Sequence, residues 1–243
     1  MPNWVFNYLS AEGDRESIEK LKEQLNKPVT YKIERMKFDE EKREWTTGVE
    51  EVTWSKPVIS FMNIVAPTDW DAYARQQDRD NGITLEDPLW WPKTLEWSKT
   101  QNDWYNWNNN NWGTKWDVAV ADDEQYPDTE MYQDEPTAVG YKFNTAWAPP
   151  TPVIQKLSEQ YPNLTFTLSF EEEQGWGGEA TYKNGVETIT EDYDNKCRDC
   201  DAINTVEYCE DCQIDVCSKC MDFSEANPDD VKTCEKHGKV AVL

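Results

Sequence analysis

Between Cys197 and His237 the chain sets out eight soft ligands in four pairs: Cys197 and Cys200, Cys209 and Cys212, Cys217 and Cys220, Cys234 and His237. All seven cysteines of the protein and its one histidine fall here. Zinc takes four such ligands tetrahedrally, so the set accounts for two Zn²⁺ ions with none left over. The two-residue gap inside each pair lets a tight turn aim both members at one metal. The four residues between Cys212 and Cys217 are too few for neighbouring pairs to share an ion comfortably. A cross-brace is expected instead, with Cys197, Cys200, Cys217 and Cys220 on one zinc and Cys209, Cys212, Cys234 and His237 on the other. A disulfide knot is the competing use. The odd count, and the lack of any cysteine in the 196 residues before Cys197, argue against it.

Other chemistry is scarce. The sequence holds no phosphate-binding P-loop, no Gly-x-Ser-x-Gly nucleophile elbow and no dinucleotide fingerprint. With the one histidine assigned to zinc, triads and imidazole acid–base catalysis are unavailable. A complete ligand set suits closed structural sites rather than a catalytic one. The chain is therefore expected not to be an enzyme. The remaining enzymatic alternative is a carboxylate–metal nuclease, using the acids of residues 117–136 or Glu171, Glu172 and Glu173. That first strip holds Asp117, Asp122, Asp123, Glu124, Asp128, Glu130, Asp134 and Glu135 without a Lys or Arg. Its spacing does not fit an EF-hand. A solvated acidic loop is the plainer reading, and a partner-binding, phosphate-mimicking strip the sharper one.

Charge narrows the partners. Twenty-four Lys and Arg against 48 Asp and Glu leave a net charge of −24. That field repels phosphate backbones and anionic membranes, so neither general nucleic-acid binding nor membrane binding is expected. A protein with a basic surface is favoured. Hydrophobic residues make up only 37% of the chain, and thirteen Trp, eleven Tyr and seven Phe must supply the bulk of the core. Seven of the tryptophans lie in 90–116: Trp90, Trp91, Trp97, Trp104, Trp107, Trp112 and Trp116. They could form a stacking platform for single-stranded nucleic acid, but so few bases accompany them that a core role is preferred. No apolar run approaches the ~20 residues of a membrane-spanning helix. The start lacks the basic, apolar pattern of a secretory signal.

The elements that position these groups follow from periodicity. Trp4–Leu9 is expected to be a strand. Asp14 caps a helix over Arg15–Leu25 with Ile18, Leu21 and Leu25 on one face. Val29–Phe38 and Glu44–Trp54 form a hairpin about the charged turn 39–43. The apolar run Pro57–Ile64 predicts a central strand. Trp97, Trp104 and Trp107 share a helix face, the asparagines 108–111 close that helix, and Gly113 leads into a strand over Lys115–Ala121. Ala138–Ala146 is a strand, and a helix runs from Thr151-Pro152 to about Gln160. The alternating stretch Asn163–Phe170 is another strand. Glu171–Gly178 is a loop, and a hairpin turns at Asn184-Gly185. Asp192–Lys196 links to the zinc module. This order suits an α+β, ferredoxin-like antiparallel sheet with helices on one face over residues 1–190, followed by a small two-zinc cross-brace module over 191–243.

Several stretches carry a resemblance together: Met1-Pro2-Asn3-Trp4-Val5-x-Asn7, Asn111-Trp112-Gly113-Thr114-Lys115-Trp116, and Phe143-x-Thr145-Ala146-Trp147-x-Pro149-Pro150. Leu157-Ser158, Tyr161-Pro162-x-Leu164 and the Glu171–Glu173 run complete the set. Residues 1–190 thereby resemble the YubB-like, ferredoxin-like family of small bacteriophage and conjugative-plasmid proteins. The resemblance implies a mobile-element origin, the cytoplasm of a bacterial host and a ferredoxin-like fold. It implies no catalytic residues. The Val29–Trp54 hairpin and the 80–100 region look like additions to that pattern. The tail is similar in spacing to B-box, FYVE and PHD cross-brace fingers and less so to RING domains. The basic Arg-His-His-Cys stretch of FYVE domains is missing, and Lys232 stands where PHD fingers place a Trp. The expected function is a zinc-stabilised, non-enzymatic inhibitor of a host defence or nucleic-acid-processing protein, acting through an acidic, DNA-mimicking surface.

Overall fold

The computed structural model describes residues 3–74, 93, 96, 99, 100, 102–118 and 129–194 (backbone alone at 33–37 and 47), and the backbone of four short strands beyond. Strand β1 (Trp4–Glu12) alternates buried Val5, Leu9 and Ala11 with outward Phe6 and Tyr8, the period-two pattern of a half-covered sheet. Gly13 ends it; a Cβ there would meet Leu164 Cδ2 and the Asn163 carbonyl. Asp14 then caps helix α1 (Arg15–Leu25), taking the Ser17 N–H at 2.9 Å and the Ser17 hydroxyl at 2.8 Å, while Ile18, Leu21 and Leu25 turn inward.

A long insertion follows. Strands β2 (Val29–Asp39) and β3 (Glu44–Trp54) pair as a two-stranded hairpin separate from the main sheet. The expected strand at Pro57–Ile64 is not formed. Ser60 to Asn63 instead make a 3₁₀ turn that buries Ile59, Phe61 and Met62. Burial was legible in that apolar run, but conformation was set from far away. The Asp117 carboxylate accepts the N–H groups of Phe61 (2.8 Å) and Met62 (2.9 Å) and the Ser60 hydroxyl (2.8 Å), and so fixes the turn. Helices α2 (Trp70–Ala74) and α3 (Trp104–Asn111) complete the described part of the insertion. Asp103 caps α3, so Trp104 and Trp107 share it, while Trp97 lies outside the described residues. Of the strand expected over Lys115–Ala121, the described residues 115–118 are irregular, and the Thr114 and Asp117 side chains engage backbone elsewhere; 119–121 lie outside the described residues.

The remainder builds the sheet: β4 (Glu130–Glu135), β5 (Ala138–Ala146), α4 (Thr151–Gln160), β6 (Thr165–Glu172), β7 (Gly177–Lys183) and β8 (Val186–Tyr193). β4 was not expected; its acids looked like loop, yet it pairs along β5 with a bulge between Met131 and Gln133. Glu171, Glu172, Gly177 and Gly178, expected in a loop, are strand residues. Asn184 (φ 49) and Gly185 (φ 77) make the two-residue turn between β7 and β8.

The six-stranded order is β4-β5-β1-β6-β7-β8, antiparallel throughout. Within it, β1-α1-β4-β5-α4-β6 is a pair of interlocked split βαβ units, the ferredoxin-like arrangement, and β7 and β8 extend one edge. α1 and α4 pack Ile18, Leu21, Leu25, Val153, Ile154 and Leu157 against Leu9, Val139, Phe166 and Leu168. From this core a run of ring contacts reaches into the insertion, edge-to-face from Phe143 to Phe61 at 5.7 Å, tilted from Phe61 to Trp112 at 6.0 Å and edge-to-face from Trp112 to Trp107 at 5.3 Å. No helix among the described residues is long and apolar enough to cross a membrane.

The two Ser17 hydrogen bonds hold the Asp14 carboxyl below its ordinary value. A carboxyl lowered in the folded state stabilises above its unfolded pKa and ceases to do so as pH falls through the folded one. Asp14→Ala is therefore expected to lower the Tm at neutral pH, with the gap to the parent protein closing in acid; calorimetry across pH checks this.

Candidate functional site

The four described residues of the acidic strip, Asp117, Glu130, Asp134 and Glu135, fall in two separate places. Asp117 is buried in the cap just described, and its carboxylate also takes the Val118 N–H at 2.7 Å. Glu130, Asp134 and Glu135 lie on the edge strand β4. Asp134 pairs with Lys22 of α1 at 2.8 Å and Glu130 with Lys142 of β5 at 2.7 Å. The pairing with Asp134 and then Glu19 raises the Lys22 pKa. Asp122, Asp123, Glu124 and Asp128 lie outside the described residues. The Glu171–Glu173 run is split by the pleat: Glu171 stands on the helix-free face, near the Tyr193 hydroxyl at 3.4 Å, while Glu172 is buried and takes the Gln174 N–H at 2.6 Å. Among the described residues, no group of three or more His, Cys, Asp or Glu is arranged to hold a metal.

The expected zinc ligands fall partly on backbone. Cys209 ends β9 (Val206–Cys209) opposite Ile214, and Cys217 ends β10 (Ile214–Cys217) opposite Val206. Cys234 ends β11 (Val231–Cys234) opposite Gly238, which opens β12 (Gly238–Ala241). Cys197, Cys200, Cys212, Cys220 and His237 lie outside the described residues.

The tryptophan-rich stretch divides by burial. Trp112 is wholly buried, its indole N–H given to the Val65 carbonyl at 3.0 Å, and Trp107 is buried beside it. These two are core, not platform. Trp90, Trp91 and Trp97 lie outside the described residues. Trp116 belongs to a different cluster. Lys115 Nζ sits 4.3 Å from the Trp116 ring centre, 5.0 Å from that of Trp147 and 5.9 Å from that of Tyr105; Trp4 lies 6.2 Å from Trp116.

Local bonding explains why these rings converge. The Thr114 hydroxyl both donates to the Ala146 carbonyl and accepts the Ala146 N–H, each at 3.1 Å. Gly113 (φ +83) leaves no room for a Cβ, which would come 2.5 Å from Pro152 Cδ. Trp147 is a non-glycine residue at φ 69, and its N–H is held by the Asn3 carbonyl at 2.9 Å. Buried Asn7 donates to the Thr145 hydroxyl at 2.9 Å, and that hydroxyl donates to the Ala148 carbonyl at 2.8 Å. The strained turn is thus pinned from both sides, as such conformations require. The sequence offered the two runs 111–116 and 143–150 separately; their contact was not visible in it.

Sequence reasoning also missed the helix-free face. Register aligns one row across all six strands: Glu130, Lys142, Tyr8, Ser169, Glu179 and Glu191. In the next row Phe6 stands between Asn144 and Glu171. Phe6, Tyr8 and Tyr132 are 43%, 52% and 46% exposed, so three large rings remain open to a partner. The outward alternation in β1 was the available signal.

Comparison with known proteins gives the fold. Residues 115–213 match the family model described as the ferredoxin-like domain in Api92-like protein. The chain is similar to the crystal structure of protein Api92 from Yersinia pseudotuberculosis, over 79% of this chain and 98% of that one, at 10% identity and a TM-score of 0.40. No curated protein matches. The ferredoxin-like domain is thus assigned by the family model, and β1 and α1, which lie before its matched residues, complete the interlocked units.

Asp117→Asn places an amide where two N–H donors converge. It is expected to cost about 2–3 kcal/mol of stability, measured by denaturant unfolding.

Proposed function

We propose that the protein is a non-enzymatic interaction protein of a mobile element that binds, and blocks, a basic surface on a host protein through the helix-free face of its sheet. One observation carries this. Glu179 and Glu191 stand directly opposite each other on β7 and β8, a like-charge pair that destabilises a sheet unless a cation comes between them. Glu179 is further oriented by the Ser169 hydroxyl at 2.6 Å and the Thr190 hydroxyl at 3.1 Å. These carboxylates share a face with exposed Phe6, Tyr8 and Tyr132 on other strands, and a surface that carries both suits an arginine-rich partner, whose guanidinium groups take carboxylates bidentately and lie on ring faces. A host protein whose basic cleft otherwise receives nucleic acid fits that chemistry.

Capture from nuclease-treated bacterial lysate is expected to yield a basic protein that is released by high salt. A purified arginine-rich peptide is expected to bind with the same salt dependence. Glu191→Gln is expected to stabilise the fold by a few tenths of a kcal/mol while weakening the peptide about threefold. Peptide binding unchanged in 1 M salt or by Glu191→Gln excludes this face.

The same reading includes two Zn²⁺ ions in the tail, held by Cys197, Cys200, Cys217 and Cys220 and by Cys209, Cys212, Cys234 and His237. What supports it is the spacing, together with the register that puts Cys209 and Cys234 at strand ends. A segment of this size has too little core to fold unaided. Elemental analysis is expected to find about two zincs per chain. Cys197→Ser is expected to unfold the tail while residues 1–190 stay folded, followed by circular dichroism and proteolysis.

A further inference from the structure

Lys115 stands apart from the rest of a chain with twice as many acids as bases. Its amine is surrounded by the rings of Tyr105, Trp116 and Trp147. Its pKa is lowered by burial. A lysine that only had to be soluble would find an acid nearby in this sequence. Among the described residues its charge is met by ring faces rather than by a carboxylate.

The rings beside it are not simply core. Trp147 is 43% exposed, and it is held out by a backbone conformation that costs of order 1–3 kcal/mol in a non-glycine residue. Asn3, Asn7, Thr114 and Thr145 together maintain that turn. Strain maintained by four side-chain and backbone contacts, with an exposed indole as its outcome, is the pattern of a recognition site rather than of a packing defect.

We infer that Lys115, Trp116 and Trp147 form a binding site for a small ligand that joins a flat ring to one anionic group, a mononucleotide being the representative chemistry. The exposed indole offers a face on which the ring stacks, and the ammonium, held over the Trp116 and Trp147 rings, meets the anion. The chain's charge of −24 opposes a long polyanion far more than a single phosphate. The ligand is therefore a single nucleotide rather than a strand. This site uses neither Glu179 nor Glu191 and stands or falls without that pair.

Calorimetric titration of the full-length protein with adenosine monophosphate, adenosine and inorganic phosphate tests this. Adenosine monophosphate is expected to bind at least tenfold more tightly than either fragment. Lys115→Met, which keeps an unbranched chain among the rings, is expected to lose that advantage while leaving adenosine binding unchanged. Trp147→Asn, which tolerates positive φ, is expected to weaken adenosine and the monophosphate alike. Thermal melts confirm that each variant folds. No binding of the monophosphate at millimolar concentration overturns the inference. So does phosphate binding as tightly as the monophosphate, Lys115→Met binding it as the parent does, or a short single strand binding more tightly than the mononucleotide.

Discussion

The buried carboxylate of Asp117 is the tie on which the insertion depends. Four donors, the Ser60 hydroxyl and the N–H groups of Phe61, Met62 and Val118, converge on its two oxygens. A buried charge is tolerable only when so fully bonded. Satisfying it draws the 60–62 turn and the 114–118 bends together beside the sheet. Phe61 then reaches Phe143 on one side and Trp112 on the other, which is how a chain poor in aliphatic residues extends its core beyond the two sheet-packed helices. The same bends place Lys115 and Trp116 beside Trp147.

What was legible in the sequence was local. The Asp14 cap, the Ile18–Leu21–Leu25 stripe, the 29–54 hairpin, the Thr151-Pro152 helix start and the Asn184-Gly185 turn each depend on residues within a few positions of one another. They stand in the structure as expected. What was not legible depended on partners far along the chain. The run 57–64 is apolar enough for a strand, but its conformation is dictated by a side chain more than fifty residues later. Strand β4 looks like a solvated loop because its acids have low strand propensity; β5 supplies its ladder, and Lys22 and Lys142 its counter-charges. The Lys115 cluster joins two runs that sequence order separates by thirty residues, so neither ring geometry nor strain could be read beforehand. The expected zinc ligands are the opposite case, being proposed from spacing alone.

The two faces of the sheet divide the labour. Under the helices, aliphatic and aromatic side chains interlock, and Asn7 and Thr145 are admitted there because they hold the 145–148 turn. On the other face, glycines make room for rings laid flat: a Cβ on Gly140 would strike Tyr132, and one on Gly177 would strike Tyr193. The rings cover backbone where no helix does, and the carboxylates between them keep that face wet. Packing is thus concentrated on one side of the sheet, and the other keeps exposed rings and carboxylates.

The sheet's outer strands have a consequence for how molecules of this protein meet each other. Among the described residues β4 and β8 are the edges of the sheet, and unpaired edges are templates for strand addition by another copy. Here one edge reads Glu-Met-Tyr-Gln-Asp-Glu with a bulge, and the other ends Glu-Asp-Tyr. Two such borders brought side by side would oppose rows of like charge on a kinked ladder. At high local concentration the chains should remain dispersed rather than zip into fibrils, a colloidal safeguard written into the margins of the sheet.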